Sequence, residues 1–180
     1  IDAIRNGEVP DEEMLECCCK PQKEFIRFRD EYPTGKPYLE NSQLHWEYRI
    51  NSGGFSFEFR CFNTAWMSQL HEQQGALHIP DFVSKRSIEA SASDYVVSVF
   101  HHPYNWMPSE SFRKFKTLVE DSSDLILTGH EHGADHYQKY SFKSQEVNDY
   151  LEGAVFQEHD RSDRAGFHAV FVDSSIQRQR

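Results

Sequence analysis

The chain has 180 residues, with 29 acidic against 19 basic side chains and a formal charge of −10, a balance that argues against a general nucleic-acid coat or a basic membrane-surface module. No apolar run approaches the roughly 20 residues needed to span a bilayer. Hydrophobic residues at 38% and aromatics at 14% are enough for a core, so global disorder is not expected.

The sequence opens on Ile1, which is expected of a processed or truncated chain or of one part of a longer protein. Asp11 to about Cys19 reads as a short helix whose acidic first turn (Asp11, Glu12, Glu13) suits the helix dipole. Cys17, Cys18 and Cys19 are adjacent and cannot form a spaced disulfide framework, which points to a reducing, cytoplasmic setting. They read as small, semi-buried residues at a helix end, because adjacent side chains diverge and make a poor zinc site. Gln22 to about Tyr32 predicts a second helix with Phe25, Ile26 and Phe28 on its apolar side, ended by Pro33, Gly35 and Pro37.

Leu44 to Ile50 alternates, with Leu44, Trp46, Tyr48 and Ile50 on one face and His45, Glu47 and Arg49 on the other. Asn51 to Gly54 is a turn, and Phe55 to Phe62 alternates again with Phe55, Phe57, Phe59 and Cys61 together. The pair predicts an antiparallel hairpin with its aromatic face buried and His45 towards solvent. Asn63 to Ala92 is a mostly polar connection, with a helix expected over Ser84 to Ala92; His71 and His78 read as surface residues.

Tyr95 to Phe100 is a continuous β-rich run, typical of a strand buried on both faces. His101 to Trp106 follows as a loop, then a helix capped by Ser109 with Phe112, Phe115, Leu118 and Val119 as its apolar stripe. Asp124 to Thr128 is a second buried strand, ending at Gly129-His130-Glu131-His132-Gly133. Three further strands are expected near Tyr137–Lys143, Gly153–Gln157 and Phe167–Asp173, with residues 174–180 a fraying tail.

A strand–helix–strand crossover is right-handed and makes its strands parallel. It therefore brings the histidine clusters 101–102 and 130–132 to one edge of the sheet, where open α/β sheets place their ligands. Gly129 lets the chain leave the strand sharply, and Pro103 stiffens the first loop. Two histidine clusters, each directly after a buried strand, point to a metal site for Zn, Fe, Mn or a related ion. His136, His159 and His168 are isolated and read as surface residues.

Val99-Phe100-His101-His102-Pro103 and Leu127-Thr128-Gly129-His130-Glu131-His132 resemble the last two blocks of the calcineurin-like metallophosphoesterases. The resemblance implies an α/β fold, a two-sheet β-sandwich flanked by helices. It implies His101, His130 and His132 as ligands of two divalent transition-metal ions, and His102 as a catalytic or supporting residue on the substrate side. Tyr104 and Asn105 would then meet the substrate, with Trp106 beside them. The activity implied is hydrolysis of a phosphoester by water that two ions activate. Nucleotide, nucleic acid and phosphoprotein substrates all remain open, and no membrane partner is expected.

The family's three earlier blocks are not in this sequence: no Asp has His two residues later, and no Gly precedes Asp or Asn-His. Residues 1–180 therefore read as a single domain or as the C-terminal portion of such a domain, inactive or nearly so alone. The missing N-terminal segment or additional domains of the same protein would be partners. The alternative is a metal-free or mononuclear regulatory or protein-interaction module on the same fold.

Overall fold

The computed structural model describes residues 10–31, 38–80, 83, 91–131, 133, 135–141, 145, 147–154 and 166–173. Helix α1 (Glu12–Cys19) begins where Asp11 accepts the Met14 N–H at 2.7 Å. Replacing that cap with alanine, Asp11→Ala, should lower stability by about 1 kcal/mol, read as a lower urea midpoint with an unchanged slope. An unchanged midpoint would show that the cap contributes nothing. After a 3-10 turn, α2 (Lys23–Glu31) follows. Its apolar side is narrower than expected: Ile26 packs against the core, while Phe25 and Phe28 are exposed.

Seven strands form one mixed sheet in the order β1-β2-β3-β4-β5-β7-β6. They are β1 (Glu40–Asn41), β2 (His45–Ser52), β3 (Phe55–Phe62), β4 (Tyr95–Phe100), β5 (Leu125–Thr128), β6 (Asp135–Tyr140) and β7 (Val147–Glu152). β2 and β3 make the antiparallel hairpin, paired from His45 with Phe62 to Ser52 with Phe55. β3, β4, β5 and β7 run parallel, so four carboxyl ends share one edge. The α/β class is as expected; the described residues contain one sheet and not a pair.

α3 (Ser109–Glu120) crosses from β4 to β5 and covers one sheet face. Its Phe115 and Val119 are fully buried, and Phe115 meets Phe62 and Phe100 edge-on at 5.1 and 5.2 Å. Ser109 is the first helical residue and not the cap; Pro108 precedes it and no side chain caps the helix. The fixed φ of Pro108 turns the chain into the helix instead.

The hairpin buries the opposite face from the one expected. Glu58 and Arg60 are 3% and 2% exposed, and His45 is equally enclosed, stacked on Phe62 at 4.7 Å. These side chains lie on the α3 face because Glu58, Arg60 and Phe62 pair with Val96, Ser98 and Phe100. The charges satisfy one another: Arg60 Nε donates to Glu58 Oε1 at 2.8 Å, and Arg49 and Ser91 donate to Oε2 at 3.0 and 2.7 Å. Alternation shows which residues share a face, but not whether charges on that face pair with one another, and a paired network can be buried. The aromatic face (Tyr48, Ile50, Phe57, Phe59, Tyr95) is only half-buried.

Other expectations shift. The strand expected near Gly153–Gln157 lies earlier, ending at Glu152, with Gly153 and Ala154 outside it. Phe167–Asp173 forms no strand, and Phe171 is 94% exposed, because an apolar run becomes a strand only when another strand accepts its hydrogen bonds. The helix expected over Ser84–Ala92 falls mostly outside the described residues; Ser91 and Ala92 are not helical. No helix among the described residues is long and apolar enough to cross a membrane.

Candidate metal centre

β4 ends at Phe100 and β5 at Thr128, so His101 and His130 leave neighbouring parallel strands at the same edge. Their connection is direct: Gly129 N–H donates to the His101 carbonyl at 3.0 Å. Gly129 has no positive φ, so the close approach of the His101 ring is what calls for glycine there. A Cβ at residue 129 would stand 3.1 Å from His101 Nδ1. The left-handed turn falls one residue later, at His130, with φ 77°. Histidine is among the side chains that adopt this conformation more readily than most. Gly129→Ala should cost about 1–3 kcal/mol, as overpacking does elsewhere, measured by urea unfolding. A variant as stable as the parent would mean that the His101 ring yields freely.

Three imidazoles converge. His101, His102 and His130 each offer a nitrogen within 4.8 Å of the others. His130 Nδ1 lies 3.2 Å from His101 Nε2. Two nitrogens that each bind a tetrahedral zinc at ~2.0–2.1 Å stand roughly 3.3 Å apart. Without an ion, one ring lends its proton to the other, and an ion would take that proton's place. His101 and His130 are therefore spaced so that they could hold one transition-metal ion. A second ion would need a bridging carboxylate, and the convergent set has none.

His102 is placed differently from its neighbours. Its side chain is 1% exposed and both ring nitrogens are engaged: Nδ1 with Thr64 Oγ1 at 3.1 Å, and Nε2 with Glu72 Oε2 at 3.1 Å. Burial holds its pKa below the usual histidine value, against the pull of Glu72. Burial also works against the Glu72 charge, but the Ser68 hydroxyl, His102 and His130 outweigh it and hold that carboxyl below its ordinary value. A ring enclosed in this way is held in one orientation and shielded from solvent.

His132 lies outside the described residues. Tyr104 does not join the site. Its ring packs at 5.3 Å from Phe100 and 6.0 Å from Phe115, and burial pushes its hydroxyl pKa well up. Asn105 is exposed, with Nδ2 3.5 Å from Glu131 Oε1. Trp106 stands closer, its ring 4.1 Å from that of His130 and its Nε1 donating to Glu131 Oε1 at 2.6 Å. Glu152 ends β7 at the same edge, where burial, then Glu131 and Asp135, raise its carboxyl pKa.

Thr64 and Glu72 escape sequence reasoning because the connection from Asn63 onward has no period. One signal existed: Thr64 stands two residues after the end of β3, so a parallel β3–β4 pair puts it at the histidine edge. A groove of about 570 Å³ runs from this edge along the half-buried sheet face, between Phe25, Trp46, Val99, Leu127, His101 and Gly129.

No family model matches the sequence. No curated protein matches it either. Among solved structures, one described as a hypothetical protein from Thermus thermophilus is similar over 68% of this chain and 40% of its own, at 18% identity and a TM-score of 0.37. This chain therefore spans less than half the length of that protein.

Proposed function

We propose that this chain carries the histidine half of a metal-dependent phosphoesterase site of the calcineurin-like kind. The observation that carries the reading is the 3.2 Å approach of His101 Nε2 to His130 Nδ1 at the carboxyl edge of adjoining parallel strands. His101 and His130 hold the ion, and His132 completes the set by the resemblance of its block. The ion supplies Lewis acidity towards a phosphoryl oxygen and lowers the pKa of bound water. His130 and His101 fix where phosphorus stands, and Trp106 and Asn105 wall the approach beside His130. His102 steadies the site from behind and carries no proton to the leaving group.

The second sheet of a two-sheet sandwich, in this reading, covers the half-buried aromatic face. A second ion and its bridging carboxylate come from the rest of the protein. The substrate is a phosphoester; nucleotide and nucleic acid fall within that class. The cysteine triplet, unable to form a spaced disulfide framework, places the proposal in a reducing, cytoplasmic setting.

Metal analysis of the full protein, with turnover of an aryl phosphodiester and an aryl phosphomonoester, tests this. Bound transition metal and metal-dependent release of the aryl alcohol are expected. Metal-free protein without turnover would favour the second reading, a regulatory or interaction module. That reading draws on the open aromatic face and on a convergent set confined to three histidines among the described residues.

A further inference from the structure

Glu72 sits where a carboxylate can act on the metal site without touching the ion. The Thr64 hydroxyl oxygen accepts the backbone N–H of His102 at 3.0 Å and also faces His102 Nδ1 at 3.1 Å. On the other side, Glu72 Oε2 lies 3.1 Å from His102 Nε2. An ionised carboxylate only accepts, so Nε2 carries the proton. In the neutral ring Nδ1 is then bare and takes the single Thr64 hydroxyl proton. The order Thr64 O–H to His102 Nδ1, His102 Nε2–H to Glu72 ties Oε2 of the carboxylate to the buried His102 ring. The same oxygen, Oε2, lies 3.8 Å from His130 Nε2. That nitrogen is the one turned away from His101, since Nδ1 makes the 3.2 Å approach.

We propose that Glu72 is the positioning residue of the metal centre. Anchored by Thr64 and His102, its carboxylate accepts a hydrogen bond from the Nε2–H of His130 and so presents Nδ1 to the ion. Metal-binding histidines generally donate their second ring N–H to such an acceptor, which fixes the tautomer and raises ligand basicity. The 3.8 Å separation closes to a hydrogen bond by a small rotation of either side chain. Here the acceptor comes from the connection after β3, an element that supplies no ligand of its own.

The inference rests on the metal reading above, and the test separates the two. Cobalt(II) titration of the purified protein, followed by visible absorption and by Trp106 fluorescence, measures affinity without any substrate. Glu72→Ala should weaken binding by roughly 10–100-fold, the usual effect of removing such an acceptor, and should also lower the metal-free melting temperature, because the buried His102 Nε2–H loses its partner. Glu72→Gln keeps the shape and loses the charge, and should weaken binding by about tenfold, because a neutral acceptor is the poorer one. Thr64→Ser should bind like the parent and Thr64→Val should not. Glu72→Gln and Glu72→Ala binding within about threefold of the parent, while His130→Asn has lost cobalt, would overturn the role of Glu72 and leave the metal centre standing. A parent protein that binds no cobalt, or a His130→Asn variant that binds it equally, would overturn both.

Discussion

Replacing Arg60 by methionine should destabilise the fold by about 3–5 kcal/mol, the usual result of removing one partner from a buried ion pair. Arg60 is 2% exposed and its Nε donates to Glu58 Oε1 at 2.8 Å, while Nη1 donates to the Ser122 carbonyl at 3.2 Å. Removing it leaves Glu58 to face the Arg49 guanidinium, at 3.0 Å, within the interior face of the sheet. The double variant Glu58→Leu/Arg60→Met should recover part of the loss, because it removes both fully buried charges and leaves Arg49, whose side chain is 34% exposed, to turn to water. Burial works against the Glu58 charge, but Ser91, Arg49 and Arg60 outweigh it and hold the carboxyl below its ordinary value of 4.5. A carboxyl lowered in the folded state binds fewer protons there than in the unfolded chain. Its contribution is therefore present above pH 4.5 and is lost as pH falls below that value. Urea unfolding of the three proteins at neutral pH and near pH ~3.5 measures both effects. A loss under about 1 kcal/mol in Arg60→Met would show that water reaches Glu58 and screens it.

The same hairpin shows what a sequence can and cannot say. Its strands, turn and register follow from alternation, and β2 and β3 form as the pattern requires. The direction of the core does not follow. Alternation in a strand has two faces, and the choice between them belongs to α3 and to the loop bearing Ser91. Where the pattern is strong and local, the elements agree closely: β4 spans Tyr95–Phe100, and α3 buries Phe115 and Val119 from its predicted stripe. Phe167–Asp173 marks the opposite limit, since pairing is a tertiary event and its residues alone do not decide it.

The site divides along the same line. His101 and His130 are legible because each follows a buried strand, and a crossover fixes the edge they share. His102 has the same local signature, yet its surroundings turn it inward to Thr64 and Glu72, which no spacing reveals. Tyr104 is an aromatic in a loop by sequence and a partly buried side chain packed on the core in the fold. It packs against Phe100 and Phe115, whose positions depend on how α3 docks.

His130→Asn should lower the proposed metal-dependent phosphoester hydrolysis of the full protein by about 10³-fold. Lewis-acid stabilisation by a bound ion is worth several kcal/mol, and each 1.36 kcal/mol is about a factor of ten in rate. Asparagine is the better replacement than alanine here. His130 has φ 77°, a conformation that asparagine adopts with little strain, so the variant removes the imidazole and spares the turn. The loss should appear in kcat more than in KM, because the ion acts on charge that develops at phosphorus, and in cobalt affinity measured without substrate. The Trp106 ring, 4.1 Å from His130, should no longer report added cobalt through its fluorescence. His136→Asn is the control: its ring is exposed and its Nε2 lies 3.6 Å from Asp149, so turnover and cobalt affinity should stay at the parent level. Full turnover in His130→Asn would remove the metal reading. Equal losses in His130→Asn and His136→Asn would trace the effect to the β5–β7–β6 edge as a whole and not to the imidazole that meets His101.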